Sequence, residues 1–330
     1  MTLKAPIVTS SPSAEDDSEL ARWRMRLGHP DAAVRRIALL DLIDEAGDSH
    51  AALLVEALAD PVAALRLEAV RALEAFESHA SVQAIIGLLD DPDHEVRQAA
   101  AHALSELKDP ASGPLLLASA HTADPFKLAA VLRGLRELRL PASQAPALAA
   151  LGHAHPAVRR EAVAVLGYLK SEVAITALAA LARQDAEPEV RRAAAGALGF
   201  AQGPAVLPAL LEALRDPEWQ VREEAATTLG KLLLRDAVGA LIEALQDAYW
   251  QVRLRAARSL GRLRDRQAVA ALVASLSHPN GNLRKEAALA LGDIADPAAC
   301  PALLVAEQDA DPEVRKAVRL ALQQIGPTSS

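Results

Sequence analysis

Residues 216–232, DPEWQVREEAATTLGKL, return one unit later as residues 247–263, DAYWQVRLRAARSLGRL. No other feature constrains the fold as much. A unit this short cannot bury its apolar face alone, so like units must stack on one another. The apolar residue before the repeated Arg serves as position zero of each unit. It falls at Val34, Leu65, Val96, Val158, Val190, Val221, Val252, Leu283 and Val314, in steps of 31, 31, 62, 32, 31, 31, 31 and 31 residues. The step of 62 is two periods and places a degenerate tenth unit near Lys127. Position eight is Leu in all ten units, from Leu42 to Leu322; position four is Ala in eight, with Val131 and Val318 in the other two. Positions 0, 4, 8 and 11 trace one face of a helix, here called helix B. An apolar helix A precedes it, as in VLPALLEAL (206–214) and AVGALIEAL (237–245).

The 330 residues are 51% hydrophobic and only 2% aromatic. Helix formers fill nearly every segment, and no stretch alternates with period two. The chain therefore reads as all-α. Its length alone suggests two domains, but a solenoid grows as one body by nearest-neighbour contacts. A net charge of −8 argues against a general nucleic-acid coat. The single cysteine, Cys300, excludes an internal disulfide and fits a reducing, cytoplasmic compartment. No apolar run approaches a membrane span, and the N-terminal MTLKAPIVTSSPSAEDD lacks the apolar core of a signal peptide. The Ala- and Arg-rich composition has a bacterial look.

Along the chain, residues 1–16 read as a disordered tail, 17–325 as one solenoid and 326–330 as a short C-terminal tail. A first helix is expected near Ser18 to Leu27. Asp-Pro turns, as at Asp60-Pro61, Asp91-Pro92, Asp216-Pro217 and Asp311-Pro312, stop one helix and open the next, with Asp as a cap. Position nine is Gly at Gly167, Gly199, Gly230, Gly261 and Gly292, which points to close helix packing. Residues 111–140 break the pattern: the repeated Arg is absent, the register is ambiguous around Phe126-Lys127-Leu128, and the segment GPLLLASAHTADP is irregular.

The motif D-P-x-x-x-V-R-x-x-A-A-x-x-L-G-x-L resembles the short HEAT repeats of phycobilin lyase subunits and many other bacterial proteins, over roughly residues 17–325. That resemblance implies a right-handed α-solenoid of about ten helical pairs, with B helices lining a concave face. It also implies a ladder in which the turn Asp of one unit holds the helix B Arg of its neighbour. Carried onto this sequence, the ladder takes Arg66, Arg97, Arg159, Arg191, Arg222, Arg253, Arg284 and Arg315.

Positions 3, 6 and 10 are then expected in the groove. Arg255, Arg258 and Arg262 share one such face and, with Trp219, Tyr249 and Trp250 nearby, form an aromatic–Arg cluster of the kind found at interface hot spots. Inter-repeat pairing of Arg255 with Glu224 or Glu286, and of Arg262 with Asp293, explains the Arg trio equally well. The Trp residues read better as padding of the inter-repeat seam. A second candidate sets Tyr168 and Phe200, both at position ten, beside a low wall of Ala164, Ala193 and Gly196. Tyr168 is the better docking residue, since Phe200 has room to turn inward over Ala201.

Deoxyhypusine hydroxylase, also a HEAT-type protein, holds iron through several His-Glu pairs; this chain has one, His94-Glu95, with His102 eight residues on. His153 and His155 flank a turn without a third ligand. No metal, cofactor or catalytic residue is expected, and Cys300 reads as packing. The function expected is a non-catalytic interaction scaffold or assembly factor gripping a partner protein. The alternative, permitted by the resemblance, is a lyase-like subunit handling a bilin or other tetrapyrrole; DNA binding fits the charge least.

Overall fold

The computed structural model describes residues 14–45, 47 and 50–326. The chain forms two compact units, divided between Ala142 and Ser143. Among the described residues twenty α-helices form ten pairs, with no strand. The first unit holds α1 (Ala14–Leu27) with α2 (Ala32–Glu45), α3 (Ala51–Ala57) with α4 (Ala63–Leu73), α5 (His79–Gly87) with α6 (His94–Ser105), and α7 (Gly113–Ser119) with α8 (Pro125–Leu138). The second opens with α9 (Gln144–Ala150) and α10 (Pro156–Tyr168), then α11 (Ile175–Gln184) and α12 (Pro188–Ala197), α13 (Leu207–Ala213) and α14 (Trp219–Lys231). It continues with α15 (Val238–Ala244) and α16 (Trp250–Leu263), α17 (Val269–Ser275) and α18 (Gly281–Ile294), α19 (Cys300–Ala306) and α20 (Pro312–Ile325). Odd helices are A helices and even ones B helices. Each A helix packs on its own B helix, and within each unit every B helix stacks on the next. This is an all-α solenoid. Its first helix starts at Ala14, inside the expected tail; residues 1–13 of that tail lie outside the described residues, as do 327–330.

The buried columns follow the repeat. Position four has no exposed surface in any of the ten B helices, from Ala38 to Val318. Position eight is as deeply buried through Leu291. A further column was not anticipated: position five, including Leu39, Val70, Leu132, Val163 and Ala288, is also buried in the first nine B helices; in the last it is the exposed Arg319. A B helix is covered by its own A helix and by neighbouring B helices, so its apolar arc is wider than one stripe. Where B helices cross, glycine sets the spacing. A β-carbon on Gly230, Gly261 or Gly292 would lie 2.7, 2.9 or 2.8 Å from the Cα of Ser259, Ala290 or Ala321 in the next B helix.

The residues 111–140 are more regular than expected. Helix α7 has seven residues, as many as α13 or α15. In α8 the repeat register keeps Lys127 at position zero, where it pairs with Asp90 of the preceding repeat, and Leu128 beside it, at the ladder-Arg position, is buried. Asp311 caps α20 as expected, its carboxylate accepting the Glu313 N–H, but the other three turn Asp residues behave differently from a simple cap. Asp60, Asp91 and Asp216 stand two residues before the N-cap positions, which are Val62, Asp93 and Glu218. Their carboxylates are drawn instead to the N–H two residues on and to a neighbouring Arg.

Candidate functional site

Among the described residues six joints between repeats are built from one helix Arg and one turn Asp. Arg222 shows the full pattern. Its Nε and Nη2 donate to both carboxylate oxygens of Asp247 at 2.6 and 2.9 Å, and its Nη1 donates to the Asp216 and Pro217 carbonyls. Asp247 Oδ1 also accepts the Tyr249 N–H, so one carboxylate closes its own turn and holds the previous repeat. Among the described residues the same two-pronged joint links Arg35 to Asp60, Arg66 to Asp91, Arg159 to Asp185, Arg191 to Asp216 and Arg284 to Asp309. Arg35 was overlooked in the sequence, although it follows Val34 at position zero. The Arg66 and Arg284 guanidinium groups hold the Asp91 and Asp309 carboxyls below the usual carboxylate range, against burial. At Asp60, Asp185 and Asp247 burial pushes the carboxyl up, but the Arg and turn hydrogen bonds outweigh it and the net direction is down.

Three expected rungs lack this joint. Among the described residues Arg97 and Arg315 bind only the carbonyls of their own turns. Arg253 has its Nε turned onto the Asp247 carbonyl, and among the described residues no carboxylate pairs with it. The turn residue that should receive Arg97 is Thr122, and the one that should receive Arg253 is His278. Both still close their turns, by accepting the Asp124 and Asn280 N–H groups.

The aromatic–Arg cluster is divided between two seams. Trp219 stacks on Tyr249 with ring centroids 5.5 Å apart and an interplanar angle of 15°, and the Arg222 guanidinium lies 5.7 Å from the Tyr249 centroid. That is seam packing, continuous with the Arg222–Asp247 joint. Trp250 is the same repeat position as Trp219, but it faces a turn carrying Asn280 in place of Tyr249, and it is 39% exposed. Of the Arg trio, Arg255 pairs with Glu223 at 2.9 Å, not with Glu224 or Glu286, and Arg258 takes both oxygens of Glu286 at 2.8 Å. Arg262 is exposed.

Tyr168 and Phe200 do come together. With Ala164, Gly167, Ala193, Gly196 and Ala197 they line a trough of about 300 Å³ between α10 and α12. Phe200 does not turn into the core: Ala201 fills its own site, 7% exposed, while Phe200 is half-buried. Lys170 and Lys231 complete the lining. Lys231 is position ten of the next repeat, the column of Tyr168 and Phe200, so it was within reach of the sequence pattern.

His94, Glu95 and His102 line a separate open cleft with Arg71, Glu74 and Gln98. Among the described residues no group of three or more His, Cys, Asp and Glu is placed to hold a metal ion. His153 and His155 accept backbone N–H groups of their own turn, and Cys300 is buried in α19. No described helix is long and apolar enough to cross a membrane.

Stacked helical pairs joined by turn Asp and helix Arg define a repeat-solenoid protein. The signature of HEAT repeats matches residues 51–136, 123–199, 177–248 and 238–323. The chain belongs to the HEAT-repeat family. No curated protein matches it in sequence. Among solved structures it is similar to an engineered protein at 21% identity and a TM-score of 0.52, covering 94% of this chain and 99% of that one. YibA of Escherichia coli matches at 19% identity and a TM-score of 0.54, over 91% of this chain and all of that one. Kap95p matches at 15% identity and a TM-score of 0.61, over 93% of this chain and 50% of its own. At these identities the likeness is one of fold.

Proposed function

We propose that the chain is a non-catalytic interaction scaffold that holds a partner protein through an apolar side chain seated between Tyr168 and Phe200. The trough carries this reading. The chain has two Tyr and three Phe in all, and here one of each faces a low Ala/Gly wall. Large aromatics beside a shallow apolar recess are what protein interfaces use as anchors. Lys170 and Lys231 in the lining add a preference for an acidic neighbour on the partner. Kap95p, with a similar fold, binds RanGDP, which supports partner binding as a use of such a solenoid. A bacterial, cytoplasmic setting belongs to the same reading, supported by the composition and by a single, buried thiol. Handling of a tetrapyrrole, as in the phycobilin-lyase type, is less well supported. The trough is at the bottom of the size range of ligand clefts, roughly 300–1,000 Å³.

The test is capture from host lysate by wild type and by Tyr168→Ala. The variant should keep wild-type helicity and melting while its partner is captured about tenfold less well or worse. Equal capture by both would remove the trough as the docking point, and a coloured eluate would favour the tetrapyrrole reading. Arg258→Glu is a poor probe, because it sets a second carboxylate against Glu286.

A further inference from the structure

The matching segments 216–232 and 247–263 make an internal comparison. In the first, Arg222 and Trp219 meet the next turn, Asp247-Ala248-Tyr249, which supplies a carboxylate to the Arg and a ring to the Trp. In the second, Arg253 and Trp250 hold the same repeat positions, three residues apart on one helix face. Their next turn is His278-Pro279-Asn280, which supplies neither group. The guanidinium of Arg253 turns away to a backbone carbonyl, and Trp250 stays partly exposed.

His elsewhere at this turn position is innocuous. His29 and His153 fill it where no Arg precedes: His29 opens the first repeat, and the residue before His153 in the series is Leu128. Only His278 faces a ladder Arg. Its Nδ1 accepts the Asn280 N–H at 3.0 Å, so the neutral ring carries its proton on Nε2, as a donor. Burial first, and then Arg253 and Arg284, push this imidazole below its ordinary 6.5, which keeps it neutral. Among the described residues the seam thus offers a guanidinium bonded to a backbone carbonyl and an imidazole N–H, with no carboxylate to match them, next to a partly exposed indole. Arg97 beside Thr122 has no such ring next to it.

We propose that the seam between α16 and α18 recognises an acidic peptide segment of a partner protein, Asp-x-aromatic, whose carboxylate binds Arg253 and His278 and whose ring stacks on Trp250. The segment supplies from outside what Asp247 and Tyr249 supply to the preceding repeat. Two parallel N–H···O bonds from a guanidinium set the geometry of the carboxylate, and the indole face selects the ring two residues on. The proposal shares with the scaffold reading only that the partner is a protein; its site is separate from the Tyr168 trough.

The probe is an acetylated, amidated pentapeptide, Gly-Asp-Ala-Tyr-Gly, titrated into the full-length ¹⁵N-labelled chain. The chain has three Trp indoles, at Trp23, Trp219 and Trp250, and Trp250→Phe identifies the third signal. The peptide should shift the Trp250 indole saturably with a Kd below about 10 mM. Its Asn counterpart should bind about tenfold more weakly, through loss of the charge-assisted pair. The deciding variant is His278→Asp, which restores the internal joint: it should raise the melting temperature and weaken peptide binding about tenfold or more. Arg253→Gln, checked for helicity, should also lose binding. Tyr168→Ala should leave peptide binding unchanged, so the two proposals fail separately. Three outcomes overturn this one: no shift of the Trp250 indole, unchanged binding by His278→Asp or Arg253→Gln, or an equal effect from acetate alone.

Discussion

Position nine fixes how closely two B helices approach. Gly261 has the Ala290 backbone where its β-carbon would be, so Gly261→Ala forces the helices apart. Its expected cost is about 1–3 kcal/mol, the usual range for overpacking, read from urea unfolding. Gly239, inside α15, has open space around it; Gly239→Ala should instead stabilise by about 0.4–1 kcal/mol. Opposite signs from the same substitution identify packing rather than helix propensity as the role of Gly261. The sequence showed that these glycines matter, but it misassigned the ion pairs around them. Pairing was read along equal positions, Arg255 with Glu224. The structure pairs position two of one repeat with position three of the next, as in Arg36 with Glu68 and Glu223 with Arg255. Crossed helices shift neighbouring columns by a residue, and a one-dimensional alignment of repeats carries no crossing angle.

At the scale of the element, the helix face at positions 0, 4 and 8 was legible because every unit repeats it. Leu229, with no exposed surface, sits at position eight of α14. Leu229→Ala should cost about 2–5 kcal/mol in equilibrium unfolding, and a negligible loss would contradict the packing described. Position five was missed because its residue type changes from repeat to repeat, from Leu39 and Val70 through Ala in five repeats to Arg319, so it does not stand out as one apolar column. The joints were legible as a row of Arg, yet which rungs are closed depends on a turn residue 25 or 26 positions later. Nothing in the helix marks Arg253 as open; the information lies in His278. The trough was found from rarity, two aromatics in one column, while Lys170 in its lining escaped because it lies in the turn that ends α10 rather than in a groove column.

For the whole molecule, the joints predict the response to acid. Asp60, Asp91, Asp185, Asp247 and Asp309 all titrate below the ordinary 3.8 when folded. The unfolded chain takes up these protons first, so their contribution is fully present above that value and is lost as the pH falls through it and below. His278 behaves in the same direction in a higher window. Its folded value lies below 6.5, so the unfolded state binds the proton more tightly and stability declines as the pH drops below 6.5. Thermal melts across pH should therefore show a shallow loss below 6.5 and a steep one below 3.8. The shallow step should vanish in His278→Asp; a step that persists would mean another group titrates there.

The split duty of the turn carboxylate has a consequence for growth of the chain. A repeat such as 216–232 carries the Arg for the joint ahead of it and the Asp for the joint behind, so the unit has a direction. A copy spliced in after its parent in that direction brings both halves of the new joint with it. Tandem duplication can therefore lengthen such an array without a compensating change elsewhere. A repeat spliced in behind Arg253 with an Asp at the turn would close the gap that His278 leaves open.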